Sequence, residues 1–148
     1  MSSKIKMIVL FFLLGCLCCI TVLEAAEKKP VTSKNDSGYV VAYYFHGNYR
    51  CSNCRTIEQY SREAIEENFL YQLEKKKLIF KVINIDLPEN QHFIQDYQLY
   101  TRSLIVAESK DGKQIAWKNL QKVWEYLGDR DKFHEYVRSE IQKSLEKM

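Results

Sequence analysis

The residues with the clearest chemical potential are two cysteines, Cys51 and Cys54, separated by two residues. An apolar, aromatic run ends at Gly47, a short polar loop follows, and a helical pattern then begins beside the pair. A helix that starts at Ser52 makes Cys51 its N-cap and places Cys54 one turn inside. Unpaired N–H groups and the helix dipole stabilise a thiolate there, and they lower a thiol pKa from about 8.5 to roughly 3.5–7.5. The spacing therefore predicts a nucleophilic thiol, Cys51, with a resolving thiol, Cys54, behind it.

Four neighbouring side chains are expected to tune or shape this pair. Arg50 and Arg55 flank the cysteines, and their charge favours the thiolate and hence the reduced form. His46 acts in the same way if it lies within several ångströms, and is otherwise a strand-end histidine that faces solvent. Tyr49 lies in the loop beside Cys51 and is expected to form a wall that faces the substrate.

The other three cysteines, Cys16, Cys18 and Cys19, lie in an apolar N-terminal segment. A disulfide between Cys51 and Cys54 closes a loop of about four residues, which gives only ~1.9 kcal/mol of chain-entropy stabilisation, against ~4.7 kcal/mol for a loop of about a hundred. Such a bridge stabilises a fold poorly. The pair is therefore predicted to be a redox-active disulfide rather than a structural one.

Residues 1–26 resemble a secretory segment, because lysines precede a long apolar run and small residues follow it. A cleaved signal is favoured over a lipid anchor at Cys16 or an uncleaved membrane anchor. Residues 27–38 are polar and predict a flexible tether, and residues 39–148 form the predicted domain. We therefore expect an exported protein that contacts a membrane only through its N-terminal segment.

The elements that must position the cysteines alternate between strand and helix. The predicted strands span residues 39–46, 78–85, 103–108 and 113–117, and the predicted helices span 54–73, a short stretch after Pro88, 120–127 and a last one from about 129. Asp111-Gly112 is a hairpin-turn signal between the last two strands. The order predicts an α/β domain with a central mixed four-stranded sheet, built as βαβα followed by a β-hairpin and C-terminal helices.

This order, with Cys-x-x-Cys at the first strand-to-helix junction, resembles the thioredoxin fold from about residue 39 to 145. Three segments resemble the second strand end, the pre-hairpin segment and the hairpin turn of thioredoxins: Asn84-Ile85-Asp86, Tyr97-Gln98-Leu99 and Asp111-Gly112-Lys113. Within the superfamily, Tyr-Phe-His-Gly-Asn-Tyr-Arg-Cys-x-x-Cys is most similar to small exported bacterial proteins of the nitrophenyl-compound nitroreductase subunit family. That resemblance implies an accessory role and a periplasmic location, free or membrane-anchored.

The chain departs from the thioredoxin pattern in three ways. Arg50 replaces the usual tryptophan before the first cysteine, and the strand offers Tyr44 and Phe45 where a buried carboxylate would assist proton transfer. The cis-proline that faces the disulfide is replaced by Ser103, or by Thr101 if the register slips. The resemblance places Arg102 and Ser103 beside Tyr49 in the substrate groove.

Three functions follow from these observations. The leading one is an exported thiol–disulfide oxidoreductase that exchanges disulfides with a protein partner, such as a membrane thiol carrier, and needs no cofactor or metal. The second is a zinc or copper(I) site made by both cysteines with His46 or His92. The third is a non-catalytic accessory subunit of a reductase. Nucleic-acid binding is not predicted, because the net charge of +3 is spread among acidic residues without a basic cluster.

Overall fold

The computed structural model describes residues 38–148. The predicted export segment, residues 1–26, and the tether except for Gly38 lie outside the described residues. Within the described range, no helix combines the length and apolar character needed to cross a membrane.

A four-stranded sheet forms the centre of the domain. Its strands are β1 (Tyr39–His46), β2 (Leu78–Asn84), β3 (Ser103–Lys110) and β4 (Lys113–Asn119), in the order β2-β1-β3-β4. β2 runs parallel to β1, whereas β3 runs antiparallel to β1 and β4 antiparallel to β3. Asp111 and Gly112 both take positive φ in the turn of the β3–β4 hairpin, as a tight two-residue turn requires. The α/β class and the mixed four-stranded sheet predicted from the sequence, with a parallel pair followed by a β-hairpin, are confirmed.

Helices cover both faces of the sheet. They are α1 (Ser52–Asn68), α2 (Leu70–Glu74), α3 (His92–Asp96) and α4 (Arg130–Leu145), with short 3₁₀ turns at Pro88–Asn90 and Gln121–Val123. β1 is apolar on both sides, as expected for a central strand covered on both faces. Its two faces contribute to two apolar clusters. The larger cluster joins β1 to α1 and α4, and the smaller one joins it to the segment around α3.

Two predicted helices differ from those observed. The helix expected over residues 54–73 is interrupted at Phe69, which leaves helical geometry and is buried in the core. The stretch 120–127 forms a 3₁₀ turn at Gln121–Val123 followed by further turns rather than an α-helix, because the Leu120 N–H bonds to the Leu104 carbonyl and draws the chain onto the sheet. The N–H groups of Val123 and Trp124 then bond three residues back instead of four.

Candidate active site

The site lies at the edge of the sheet where β1 ends. His46 is in register with Asn84 on β2, and Phe45 is in register with Ser103 on β3. The end of β2 and the start of β3 therefore flank the loop that leads from β1 to the cysteines. This is the strand-to-helix junction at which the sequence placed the chemistry.

A polar network holds the loop after β1. The Asn48 N–H donates to Asp86 Oδ2 at 2.7 Å, and the Asn84 side chain donates to Asn48 Oδ1 at 2.8 Å. A Cβ on Gly47 would lie 2.8 Å from Asp86 Oδ2, so any larger residue at this position would force the Asp86 carboxylate to shift. This role of Asp86 was not predicted from the sequence. The signal was available, because neighbouring parallel strands end at the same edge of a sheet.

Cys51 and Cys54 are joined by a disulfide at the start of α1. Cys51 is the N-cap, and its sulfur accepts a hydrogen bond from the Cys54 N–H at 3.2 Å. Cys51 is half-buried, whereas Cys54 is only 1% exposed. The first sulfur is thus the one that a partner can reach, and it lies where the helix dipole favours a negative charge.

Tyr44 supports the helix end from below. Its side chain extends from the buried face of β1, and its hydroxyl donates a hydrogen bond to the Cys54 carbonyl at 2.6 Å. Burial raises the pKa of Tyr44 to about 12, while the positive charge of Arg50 acts in the opposite direction. The phenol therefore stays protonated and remains a hydrogen-bond donor at physiological pH.

The predicted tuning residues lie in different environments. Arg50 turns inward and forms an ion pair with Glu58, which lies one helical turn beyond Cys54 and also contacts Arg62. His46 Nδ1 donates to the Gly47 carbonyl at 2.9 Å. Arg50 is therefore partly neutralised by a partner that the sequence analysis missed. The thiolate-tuning roles of Arg50, His46 and Arg55 stay predictions.

Arg55 lies in the first turn of α1, and its side chain is exposed. That turn contains no acidic residue. Arg55 makes no ion pair within residues 38–148. Its positive charge thus adds to that of the helix N-terminus.

The segment before β3 faces the cysteine loop across the sheet edge. Arg102 Nη2 donates to the Tyr49 carbonyl at 3.2 Å, and the Arg102 carbonyl accepts from Trp124 Nε1 at 3.1 Å. Ser103 is buried and its hydroxyl donates to the Thr101 carbonyl. The described residues contain no cis peptide bond, so the peptide bond before Ser103 is trans. The alignment of Ser103, or of Thr101, with a cis-proline stays a prediction.

Exposed aromatic side chains border this edge. Tyr49 is 77% exposed and Tyr100 is 96% exposed. The role of Tyr49 as a wall that faces the substrate stays a prediction. A cavity of about 430 Å³ opens beside Ser103, with Trp117 and Trp124 in its lining. A partner that reached Cys51 would meet the exposed side chain of Tyr49, two residues away in the same loop.

The metal-binding alternative needs His46 or His92 beside the cysteines. His92 instead pairs with Asp96 through Nδ1 at 2.7 Å on the exposed side of α3. Within the part of the chain that the structure describes, no group of three His, Cys, Asp or Glu side chains has the geometry to hold a metal ion.

Comparisons with known proteins give structural similarity only. No protein-family model matches the chain, and no curated protein matches it. Among solved structures, a thioredoxin from Fasciola hepatica is 18% identical, with 74% of this chain and 84% of that chain covered and a TM-score of 0.43. A thioredoxin from Trypanosoma brucei brucei is 16% identical, with 70% and 76% covered and a TM-score of 0.38. A mutant thioredoxin from Halobacterium salinarum is 24% identical, with 74% and 78% covered and a TM-score of 0.37.

Proposed function

We propose that this protein is a thiol–disulfide oxidoreductase in which Cys51 attacks and Cys54 resolves. The observation that supports this most strongly is the asymmetry of the pair: the N-cap sulfur is accessible, and the other lies under the first turn at 1% exposure. An accessible thiolate at a helix N-terminus with a second thiol in reach is the arrangement that thiol–disulfide exchange needs.

The reductive direction proceeds in two displacements. The Cys51 thiolate attacks one sulfur of a partner disulfide, a mixed disulfide forms, and the other partner sulfur leaves as a thiolate. Cys54 then loses its proton and attacks the Cys51 sulfur, which breaks the mixed disulfide and releases the second partner thiolate. The two electrons gained by the partner come from the protein dithiol, which becomes the Cys51–Cys54 disulfide. The oxidative direction is the reverse sequence.

The loop contacts support this chemistry by fixing the position of Cys51. The Asn48–Asp86 hydrogen bond holds the start of the loop, and the Arg102 hydrogen bond to the Tyr49 carbonyl holds its end. The Tyr44 hydroxyl holds Cys54 in place by donating a hydrogen bond to the Cys54 backbone carbonyl. The two sulfurs therefore stay within bonding distance while the accessible one faces outward.

The cellular setting is part of the proposal and rests on the sequence. The secretory pattern of residues 1–26 supports an exported protein, periplasmic or anchored to a membrane. Its partner would be a protein thiol or disulfide, for example a membrane thiol carrier. The resemblance of the sequence to nitroreductase subunit proteins supports a role for this protein as the accessory subunit of a reductase. In that role it would carry out the same thiol–disulfide exchange and no second reaction.

The experiment is a turnover assay in which dithiothreitol reduces a protein disulfide with and without the chain. We expect the wild type to accelerate the reduction, and Cys51→Ser to lower the rate to the uncatalysed background. Ser52→Ala, beside the nucleophile, is the matched control for a change in the same turn. An acceleration by Cys51→Ser equal to that of the wild type would contradict the proposal.

A further inference from the structure

The arginines of the chain divide into two groups. Of the six, four form ion pairs with glutamates on α1 or α4: Arg50, Arg62, Arg130 and Arg138. Arg55 and Arg102 make no ion pair with any residue in the range 38–148. Both of these lie at the disulfide, one after Cys54 and the other against the loop before Cys51.

Arg55 occupies an unfavourable place for a cation. The first turn of a helix carries a partial positive charge, and an acidic residue is the stabilising choice there. In α1 this turn has no acidic residue, and Arg55 projects from it into solvent. The intramolecular contacts of the described chain therefore give no reason for this charge.

Arg102 is held in place by groups that leave its charge unbalanced. Its Nη2 donates to the Tyr49 carbonyl and its own carbonyl accepts from Trp124, so both its side chain and its backbone are fixed. Its Nε is buried and has no hydrogen-bond partner among the described residues. The two carboxylates of the site are already engaged, Glu58 by Arg50 and Asp86 by the Asn48 N–H. A preorganised guanidinium without a carboxylate is suited to binding one from a partner.

We propose that Arg55 and Arg102 select partner segments that carry carboxylates beside the cysteine exchanged with Cys51. The occupant is an acidic, cysteine-containing peptide segment of a protein. The inference rests on the proposed function, because the same two displacements at Cys51 and Cys54 must take place. Glutamate or aspartate on either side of the partner cysteine would meet the α1 N-terminus and the two arginines, and the aromatic side chains of Tyr49 and Tyr100 would border the contact.

The test uses three disulfide-linked peptides that differ only in having Glu, Gln or Lys on both sides of their cysteine. The reduced full chain is mixed with each peptide at low ionic strength, and the second-order rate of thiol release is measured. Each rate is divided by the rate of the same peptide with dithiothreitol, which corrects for its intrinsic reactivity. We expect the Glu peptide to react about tenfold faster than the Lys peptide. At about 1 M salt, where the Debye length is near 3 Å, the ratio should fall toward one.

Variants test whether Arg55 and Arg102 cause the preference. The ratio of the Glu-peptide rate to the Lys-peptide rate should fall toward one in the Arg55→Gln/Arg102→Gln double variant. It should persist in Arg138→Gln, which removes an arginine paired with Glu135 on α4. Arg102→Lys keeps the charge and should keep most of the preference, and Arg55→Gln alone should lower it without disturbing the Tyr49 contact.

The outcomes separate the two proposals. Equal corrected rates for the three peptides in the wild type, or a preference that survives in the double variant, overturn the acidic-partner inference while the exchange chemistry stands. Failure of the reduced chain to exchange with any of the three peptides overturns the proposed function, and this inference with it.

Discussion

Two charged regions of the molecule are built in opposite ways. Between α4 and the hairpin, two buried carboxylates are closed off by lysines, a set that we call the lysine–carboxylate cluster: Glu108 with Lys147, and Glu140 with Lys118 and Lys143. The two glutamate side chains are 9% and 10% exposed. At the disulfide, Arg102 is held by its hydrogen bond to the Tyr49 carbonyl and Arg55 projects into solvent, and neither has an acidic partner within residues 38–148.

The difference shows that charged side chains can either stabilise the fold or remain available to bind a partner. A buried carboxylate must be paired, or its desolvation cost destabilises the fold. The lysine–carboxylate cluster meets that requirement internally and leaves nothing for a partner to bind. At the disulfide end, Arg55 and Arg102 have no acidic partner among the described residues, so removing these two charges should affect exchange more than folding. Changes in the cluster should affect folding and spare exchange.

The largest expected effect on stability follows reduction of the disulfide. The bridge closes a loop of only about four residues, so its loss should cost about 2 kcal/mol or less and leave the domain folded. Urea unfolding of the oxidised and reduced protein measures the difference. If the reduced protein is unfolded at room temperature, the disulfide is structural, and the proposal that the disulfide end serves exchange rather than folding is wrong.

A somewhat smaller effect is expected for Asp86→Ala. This change removes the acceptor of the Asn48 N–H and should destabilise the protein by about 1–1.5 kcal/mol. It should also slow exchange several-fold, because the loop that carries Cys51 loses an anchor. The control is Asp96→Ala, which removes only the exposed hydrogen bond with His92 and should change either quantity very little. Identical effects of the two changes on exchange would remove the anchoring role.

The smallest effect is expected in the lysine–carboxylate cluster. Burial acts to raise the pKa of Glu140, but hydrogen bonds from Lys118 and Lys143 outweigh it and hold the pKa below its usual value. A lowered folded-state pKa stabilises the protein above the unfolded-state pKa, and this stabilisation is lost as the pH falls through the folded value. Glu140→Gln should therefore cost about 1 kcal/mol at pH 7.

The pH dependence gives this prediction its control. The stability difference between wild type and Glu140→Gln should shrink below about pH 4.5, where the unfolded-state carboxyl begins to protonate. Exchange with disulfide peptides should be unchanged in the variant. A stability difference that stays constant down to pH 2, or a loss of exchange in the variant, would contradict the proposal that the lysine–carboxylate cluster serves folding and not exchange.

The sequence predicts the elements because their signals are local. The boundaries of β1 agree with its apolar run between Gly38 and Gly47, and α4 begins after Asp129, whose side chain caps it. The N-cap position of Cys51 followed from where the helical pattern begins. Each of these depends on neighbours within a few residues.

The missed features depend on contacts between distant segments. The Arg50–Glu58 ion pair exists because the loop turns the arginine inward, which no spacing rule predicts. The side chain of His134 on α4 is only 12% exposed, because Glu63 and Glu67 of α1 pack against it. The 3₁₀ turn at 121–123 replaced a helix because the sheet engages the Leu120 N–H. Tertiary contacts decided each of these positions.

The central claim, that Cys51 attacks and Cys54 resolves, is tested most directly by trapping the mixed disulfide. Cys54→Ser and Cys51→Ser are expressed in the native cell and separated by mass without reductant. We expect a discrete higher-mass species for Cys54→Ser that dithiothreitol removes, and no adduct through Cys54 in Cys51→Ser, because the Cys54 sulfur is buried. Mass spectrometry of that species identifies the partner. Equal amounts of adduct from both variants, or adduct from Cys51→Ser alone, would contradict the assigned roles.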